Sequence, residues 1–470
     1  MNAADRRLPL VPGAGSLDQV LAWRRGAPVT VRQFIADALQ AASRLPDRGH
    51  VLNACTDRYS FTVGFAAALL RGQVSVLPPN QTAEMVAQLG RSFPDLYCLA
   101  DDPSLRIGLP VVALPARAAD PCRVDTMPSI PADRVAAEVL TSGSTGTPRA
   151  HVKRWRELVH GTLAAAAGHA IALDRTTLEG LTVVATVPPQ HMYGLESSVL
   201  LSLCAGASID SGRPFYPQDI ADALARQVDG RILVTTPFHL RALLDSGVVL
   251  PPIDLILCAT APLPIELAVR AEQQTGAPLI EIYGCTEAGQ VASRRPARAA
   301  AWTTMGALAV TMKPAAAADA GRDDAAGYVV SGGHLDAPVE LSDRLELETP
   351  HRFHLGGRGA DLVNIAGKRA SLAQLAFQLH AIDGIQDGLF HLVEVEPGGV
   401  DRLIAIVVAP TLSGAEIVEA LRPRIDSVFL PRRVFKVDAL PRNATGKLPS
   451  AWVAELVARL MHRDFASDAK

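Results

Sequence analysis

Residues 231–283 read RILVTTPFHLRALLDSGVVLPPIDLILCATAPLPIELAVRAEQQTGAPLIEIY, and this stretch decides the fold. Short apolar runs at 231–235, 255–259 and 279–283 have the length and composition of β-strands, and 264–274 has a helical pattern. Strand, helix and strand at this spacing predict a parallel α/β sheet. Ligands of such sheets collect in the loops that follow the strands.

The same alternation extends toward the N-terminus. Further strands are predicted at 137–140 and 181–187, and a helix at 217–227. We therefore predict an α/β fold with doubly wound sheets in a large N-terminal domain covering residues 1–356. A chain of 470 residues is also too long for one ordinary core, so at least two domains are expected.

The pattern of predicted helices and strands changes after residue 357. The predicted helices and strands that follow are a helix at 372–380, strands at 389–395 and 403–408, a helix at 415–425, a strand at 433–437 and a helix at 450–461. This order predicts a small α+β C-terminal domain at 362–470. Residues 357–361 would form the hinge, where glycines permit unusual backbone dihedrals.

Composition excludes several classes of function. The net charge is −3 and aromatic residues make up 5%, which argues against nucleic-acid binding. The longest apolar runs fall short of the ~18 residues that cross a bilayer, so no membrane insertion is expected. The N-terminal residues lack the apolar segment of a signal peptide, which favours a cytoplasmic protein. The cysteines show no spacing typical of zinc sites and are expected to be buried free thiols.

The strongest local signal is TSGSTGTPR at residues 141–149, directly after a predicted strand. Glycines let backbone N–H groups close around an anion, and hydroxyls with an arginine add donors and charge. Phosphate binding is the interpretation that the strand context favours. The alternative is a solvent-exposed turn, and the sequence is not a Walker loop.

Four more segments follow in order. They are PQHMYG at 189–194, YGCTE at 283–287, GR at 357–358 with GKR at 367–369, and PRNATGK at 441–447. Together with residues 141–149 they resemble the motifs of the adenylate-forming superfamily of acyl- and aryl-CoA synthetases, luciferases and peptide-synthetase adenylation domains. Residues 1–130 contribute no motif to this resemblance.

The resemblance implies an enzyme that uses ATP and Mg²⁺ to convert a carboxylic acid into an acyl-adenylate and then passes the acyl group to a thiol. It also implies a small domain that moves about the hinge. The nucleotide-binding residues that it implies are Thr141, Ser142, Gly143, Ser144, Thr145, Gly146, Arg149, Lys153, Thr260, Ala261, Pro262, Tyr283, Gly284, Asp343 and Arg358. Lys153 is included because Arg149 stands where the family usually has lysine, and the two cations could share the role.

Three residues are implied to act in the chemistry. Lys447 would hold the carboxylate and a phosphoryl oxygen, Thr286 would bind the α-phosphate, and Glu287 would hold Mg²⁺. For Lys447 the alternative is a solvated loop lysine. For Glu287 it is a charge favoured by a helix N-terminus.

Other assignments rest on position. The family's Thr-Gly-Asp motif is absent, and Asp343 is the best positional match for the ribose-binding aspartate, with a turn aspartate as the alternative. His191, Tyr193 and Gly194 would line the acyl pocket, although packing against the sheet explains His191 and Tyr193 equally well.

The chain is short, and it contains TSGSTGTPRAHVKRW at 141–155, TTPFHLRALLDSG at 235–247 and APLP at 261–264. In these features it resembles stand-alone ligases of aryl-polyene and xanthomonadin-type pigment clusters, and this finer resemblance supplies the substrate and the acceptor. It implies a small aromatic, hydroxybenzoate-like acid and an acyl carrier protein as acceptor. The alternatives are CoA as the acceptor, or a catalytically silent homologue that only binds nucleotide or acyl groups. Retention of Lys447, Glu287 and the hydroxyl-rich loop argues against the silent homologue.

Overall fold

The computed structural model describes residues 6–115, 117–118, 124–141, 149–228, 230–313, 327–358, 362–365, 368–393, 402–443 and 448–467. The strands up to residue 358 are β1 (Arg7–Pro9), β2 (Val20–Arg24), β3 (Ala27–Thr30), β4 (His50–Asn53), β5 (Val74–Leu77), β6 (Tyr97–Ala100), β7 (Val111–Ala113), β8 (Ser129–Pro131), β9 (Val135–Thr141), β10 (Arg149–Arg154), β11 (Leu181–Ala185), β12 (Ser208–Asp210), β13 (Gly230–Thr235), β14 (Leu255–Cys258), β15 (Leu279–Cys285), β16 (Gly289–Arg294), β17 (Trp302–Thr304), β18 (Leu308–Met312), β19 (Tyr328–Gly332), β20 (Val339–Leu341), β21 (Asp343–Thr349) and β22 (Arg352–Arg358). The helices of the same part are α1 (Val31–Ala42), α2 (Arg58–Arg71), α3 (Ala83–Ser92), α4 (Trp155–Ala172), α5 (Met192–Gly194), a π-helix (Leu195–Leu200), α6 (Leu201–Ala205), α7 (Pro217–Ala225), α8 (Pro237–Asp245) and α9 (Ile265–Thr275).

The larger sheet has a parallel centre. Within the described residues its strand order is β21-β22-β17-β16-β15-β14-β13-β11-β12-β2-β3, and the strands from β15 to β2 run parallel. Strand β14 is an unbroken apolar run and Thr182 is the one polar residue of β11. Both strands are buried along their whole length, as expected for parallel strands covered on both faces. The strands predicted from sequence are all present, with ends shifted by a few residues at most.

A second sheet orders β10-β9-β5-β4-β6-β7 across the described part of the chain. Strands β9 to β7 are parallel, and β10 returns antiparallel beside β9. One hydrophobic core joins the two large sheets, with Phe34 of α1, Phe61 of α2 and Trp155 of α4 buried in it. The α/β prediction is therefore confirmed, and both sheets carry antiparallel strands at an edge that the sequence pattern did not predict.

From residue 372 onward the small domain follows the predicted order of elements, and two short strands that were not predicted precede it. Its elements are β23 (Leu362–Ile365), β24 (Lys368–Ser371), α10 (Leu372–His380), β25 (Asp387–Val393), β26 (Arg402–Val408), α11 (Gly414–Leu421), a 3₁₀ turn (Ser427–Phe429), β27 (Arg433–Lys436) and α12 (Ser450–Ser467). Alternate residues of β26 face two cores, since Ala405 packs with α10 and α11 whereas Ile404 packs with α12. The fold thus has a large N-terminal and a smaller C-terminal domain, while the hinge at 357–361 stays a prediction.

The described cysteines can be compared with the prediction of buried free thiols. In the described residues Cys55, Cys98, Cys204 and Cys258 are free and buried, and Cys285 is free and half-buried. Cys122 lies outside those residues.

No helix in the described part of the chain is both long and apolar enough to cross a membrane.

Candidate active site

The candidate site lies at the carboxyl edge of the larger sheet. Strands β11, β13, β14 and β15 are parallel neighbours, so their carboxyl ends meet along one edge. The predicted segments 189–194 and 260–262 begin within a few residues of the ends of β11 and β14, and 283–287 includes the end of β15. Topology therefore brings together residues that are far apart in sequence, as open α/β sheets do at their ligand sites.

The predicted phosphate loop is anchored on a hairpin. Thr141 at the end of β9 pairs with Arg149 at the start of β10. The residues between them, including Ser142, Gly143, Ser144, Thr145 and Gly146, lie outside the described residues. Phosphate binding by this loop stays a prediction.

Strand β10 directs basic side chains toward the turn between β15 and β16. Side chains two residues apart share a face of a strand, which places His151 and Lys153 together. His151 Nε2 lies 3.2 Å from Thr141 Oγ1 and 3.5 Å from Glu287 Oε1. Burial lowers the pKa of His151, whereas the nearby Glu287 carboxylate raises it.

Lys153 is deeply buried. Lys153 is 5% exposed, and its Nζ donates a hydrogen bond to the backbone carbonyl oxygen of Glu287 at 2.5 Å. Burial lowers the pKa of Lys153, and attraction to Glu196 is the largest opposing effect. The ammonium group expected to share phosphate binding therefore contacts the protein backbone.

Glu287 lies in a turn between two strands, which removes the helix N-terminus as an explanation for its charge. Its side chain is 40% exposed. Gly284 precedes the turn, where a Cβ atom would lie 2.2 Å from the carbonyl oxygen of Gly289, so only glycine fits. Thr286 is half-buried in the same turn, and its contact with a phosphate stays a prediction.

This turn offers a reasonable partner for Mg²⁺. No group of three or more His, Cys, Asp or Glu residues that could hold a metal occurs among the described residues. Mg²⁺ does not need such a cage, because it is usually held by one or two carboxylates, water and substrate phosphates. The accessible carboxylate of Glu287, close to the anchors of the predicted phosphate loop, fits that donor set.

The predicted ribose-binding residues meet on neighbouring strands. Asp343 of β21 pairs in register with Arg358 of β22. The Tyr283 hydroxyl donates to Asp343 Oδ2 at 2.9 Å, and its ring packs edge-on against Trp302 and Phe353. The structure therefore places Asp343 beside Tyr283 and on the strand that pairs with the strand of Arg358, and ribose contact stays a prediction.

The aromatic segment is built into the sheet. The Tyr193 hydroxyl lies 3.1 Å from the Thr235 carbonyl oxygen and 2.9 Å from that of Leu257, so it ties the ends of β13 and β14 together. Burial raises the pKa of Tyr193 well above its usual range. A Cβ at Gly194 would lie 2.0 Å from the Pro188 carbonyl oxygen. These contacts give Tyr193 and Gly194 structural roles, while lining of an acyl pocket by them or by His191 stays a prediction.

Thr260 follows β14 with a φ of +85°. A β-branched residue rarely adopts positive φ, and such strain is concentrated at functional sites. Thr260, Ala261 and Pro262 were predicted to contact the nucleotide, and the strained backbone at the sheet edge is compatible with that prediction.

At this edge of the sheet the sequence interpretation missed the buried residues Glu196 and Gln290. Glu196 of the π-helix is 5% exposed, and burial raises its pKa to about 7. Its Oε1 accepts a long hydrogen bond of 3.4 Å from the Gln290 backbone N–H, and the Gln290 side chain donates to Ser197 Oγ at 3.0 Å. The available signal was a single acid inside an otherwise uncharged run.

The last residues of the predicted site lie in the small domain. Lys447 lies outside the described residues, so its approach to the sheet edge stays a prediction. Arg442, the second residue of the same segment, is described and makes a bidentate ion pair with Asp387.

Comparison with known proteins gives the family. The AMP-binding enzyme family matches residues 24–320. The chain is 29% identical over 311 residues to a 4-coumarate–CoA ligase of Rhodobacter capsulatus, covering 65% of this chain and 73% of the relative. It is 25% identical over 349 residues to a 2-succinylbenzoate–CoA ligase of Geobacillus kaustophilus, covering 67% and 68%.

Solved structures share the fold. ATP-bound MatB from Rhodopseudomonas palustris superposes with a TM-score of 0.78 at 20% identity, covering 97% of this chain and 99% of that one. The o-succinylbenzoate CoA synthetase of Bacillus subtilis, in complex with its acyl-adenylate intermediate, gives a TM-score of 0.75 at 17% identity, covering 94% and 97%.

Proposed function

The chain belongs to the AMP-binding enzyme family and is an AMP-forming acid–thiol ligase, and from this premise we propose that its acid is a small aromatic, hydroxybenzoate-like carboxylate. The observation that supports the nucleotide chemistry is the turn holding Glu287, which lies against His151 and Lys153 beside the anchors of the phosphate loop. The aromatic acid is supported by relatives named for coumarate, indoleacetate and succinylbenzoate.

The proposed reaction has two steps. The carboxylate oxygen attacks the α-phosphorus of ATP, and pyrophosphate leaves with the electrons of the broken bond. A thiol sulfur then attacks the acyl carbon, AMP leaves as the phosphate anion, and the thiol proton passes to solvent. Both steps build negative charge on oxygen, which fixed donors and cations stabilise.

This chain supplies groups for that task. We assign Thr286 and the hydroxyls and N–H groups of residues 142–146 to the phosphates, with Arg149 as their cation. Tyr283, Asp343 and Arg358 would hold the nucleoside. Mg²⁺ bound at Glu287 would neutralise phosphate charge, and Lys447 would stabilise the charge developing between carboxylate and α-phosphate.

The acceptor has two candidates. The phosphopantetheine thiol of an acyl carrier protein is supported by the resemblance of the sequence to pigment-cluster ligases. CoA is favoured by the two relatives described above, which are both CoA ligases.

A panel of aromatic and aliphatic carboxylates, scored by acid-dependent exchange of pyrophosphate into ATP, tests the first step. We expect exchange with at least one hydroxybenzoate and little with short aliphatic acids. Exchange restricted to aliphatic acids would overturn the aromatic assignment, and no exchange with any acid would favour the silent homologue. Thioester formation from the best acid, measured with CoA and with a phosphopantetheinylated carrier protein in parallel, distinguishes the acceptors.

Lys447→Ala tests the catalytic assignment. Loss of one contact to developing charge typically lowers the rate by ~10²–10³, and ATP binding should be nearly unchanged. Lys436→Ala changes an exposed lysine of the same domain and serves as the matched control. Equal exchange rates in wild type and Lys447→Ala would remove Lys447 from the mechanism.

A further inference from the structure

Two buried charged residues form hydrogen bonds with the backbone on the two sides of the turn that carries Glu287. Lys153 of β10 donates to the carbonyl oxygen of Glu287, before the start of β16. Glu196 of the π-helix accepts from the backbone N–H of Gln290, inside β16. Lys153 and Glu196 therefore contact the polypeptide a few residues apart, on either side of Ala288 and Gly289.

The fit at Glu196 is close. Gly289 has a φ of +76°, and a Cβ there would lie 2.5 Å from Glu196 Oε1. Positive φ and lack of space together require glycine at this position. The carboxylate of Glu196 thus packs directly against the backbone of the turn.

Burial makes the two charges dependent on each other. Lys153 and Glu196 are each 5% exposed. A buried ammonium group is costly to desolvate unless an opposite charge compensates it, and Glu196 is the strongest compensating charge acting on Lys153. Both side chains face inward, so their charges do not serve to keep the protein surface soluble.

We infer that Lys153 and Glu196 form a buried positioning pair that fixes the turn holding Glu287, and that Lys153 does not bind the phosphates of the nucleotide. The inference rests on the proposed function for the role of Glu287. His151 completes the arrangement from the same face of β10, because it lies 3.5 Å from the Glu287 carboxylate.

The first experiment compares Lys153→Met with wild type. Methionine keeps the length of the side chain and removes the donor and the charge. We expect ATP affinity in magnesium-free buffer, measured by calorimetry, to be nearly unchanged. We expect the Mg²⁺ concentration for half-maximal ATP binding and for half-maximal pyrophosphate exchange to rise about 10- to 100-fold, as for loss of an outer-shell partner. Lys313→Met, at a half-exposed lysine paired with Glu340, is the matched control.

The second experiment is a thermal double-mutant cycle with Glu196→Gln. Lys153→Met leaves Glu196 buried without its counter-charge, and we expect Tm to fall by about 5–10 °C. Glu196→Gln in that background should restore most of the Tm but not the Mg²⁺ dependence. Because the double variant folds in this scheme, the positioning role can be measured even if Lys153→Met folds poorly.

Two results would overturn the inference. If Lys153→Met weakens magnesium-free ATP binding as strongly as it slows exchange, with an unchanged Mg²⁺ curve, then Lys153 is a phosphate ligand. If the two Tm changes simply add, the residues are not a pair. Absence of exchange in wild type with every acid would instead refute the proposed function, and magnesium-free ATP binding with the thermal cycle would still decide the inference.

Discussion

Glu196 in the large domain and Asp387 in the small domain are almost equally buried, at 5% and 7% exposed, yet their pKa values shift in opposite directions. Burial raises the pKa of Glu196 to about 7. For Asp387, burial also raises the pKa, but hydrogen bonds and charge from Arg442 and His380 outweigh it and bring the pKa to about 2.

The geometry of the partners explains the difference. Arg442 donates through Nε and Nη2 to the two oxygens of Asp387, each at 2.5 Å, and the Gly388 N–H donates at 2.8 Å. Glu196 receives one long backbone hydrogen bond, while the ammonium group of Lys153 bonds to a carbonyl oxygen instead. A cation that donates hydrogen bonds to a carboxylate keeps that carboxylate ionised. A cation whose hydrogen bond goes to another group offsets the cost of burying the carboxylate only by electrostatic attraction at a distance.

The largest expected effect is on the small domain. Asp387→Ala leaves Arg442 half-buried without its bidentate partner, and removing one member of a buried pair typically costs about 3–5 kcal/mol. Urea unfolding, followed by a probe in the small domain, measures this loss. Asp383→Ala removes an exposed aspartate nearby and should have little effect. A loss below about 1 kcal/mol for Asp387→Ala would mean that the pair contributes no more than a surface ion pair.

Acid titration should reveal Asp387. Its folded pKa lies below the unfolded value of about 3.9, so its contribution is present above that pH and is lost as the pH falls through about 2. The size is about 2–3 kcal/mol. Unfolding free energies of wild type and Asp387→Asn should therefore converge below about pH 2. Parallel curves down to that pH would contradict the depressed pKa.

The unfolding free energy should depend on pH in the opposite direction for Glu196. Its folded pKa lies above the unfolded value of about 4.3, so its stabilising contribution is present below about pH 4 and is lost as the pH rises through about 7. Glu196→Gln should remove this pH dependence, which we expect to amount to about 3–4 kcal/mol. The measurement is the difference in unfolding free energy between wild type and variant across that range. A difference independent of pH would show that Glu196 is ionised throughout.

Glu287 provides a third environment, a carboxylate that is 40% exposed. Glu287→Gln keeps its shape, but an amide is a weaker ligand for a hard cation, so the Mg²⁺ requirement should rise about tenfold, or ~1.4 kcal/mol. Titration of pyrophosphate exchange with Mg²⁺ measures the change. An unchanged curve would remove Glu287 from the metal site.

The smallest effect is expected at the surface. Lys313 and Glu340 form an ion pair in which both side chains are largely exposed. Exposed pairs contribute about 0–1 kcal/mol, and added salt weakens them. Lys313→Met should therefore change the unfolding free energy little, as measured by urea at low and high ionic strength. A loss as large as that from Asp387→Ala would contradict the view that burial and donor geometry decide the size of these effects.

Local patterns predicted the elements well. The helix predicted at 372–380 is α10, and the strands around the candidate site were predicted to within a few residues. The hydrophobic pattern of a short segment is enough to predict a helix or a strand, because the periodicity of each is a local property of the sequence. The order of strands within a sheet is not local, so the antiparallel edges were not predicted.

For the predicted site, the structure shows which residues are neighbours, and their functional roles stay predictions. Asp343 and Arg358 were chosen by position and pair across two strands. Glu196 has no motif, and its counterpart on β10 is distant in sequence, so no local signal joins the two. Arg58 was missed for the same reason, since its fully buried guanidinium donates to the carbonyl oxygens of Ala185 and Val187 at the end of β11.

The pairing of Thr141 with Arg149 has a consequence for how the loop between them can vary. These two residues are held as neighbours by the β9–β10 ladder, whatever connects them. Closing a longer flexible connection costs little, about 0.6 kcal/mol for each doubling of its length. Folding therefore places only a weak restriction on the length and composition of residues 142–148. Insertions there should be tolerated by the fold, and if these residues bind phosphate as predicted, the same insertions should lower the activity first.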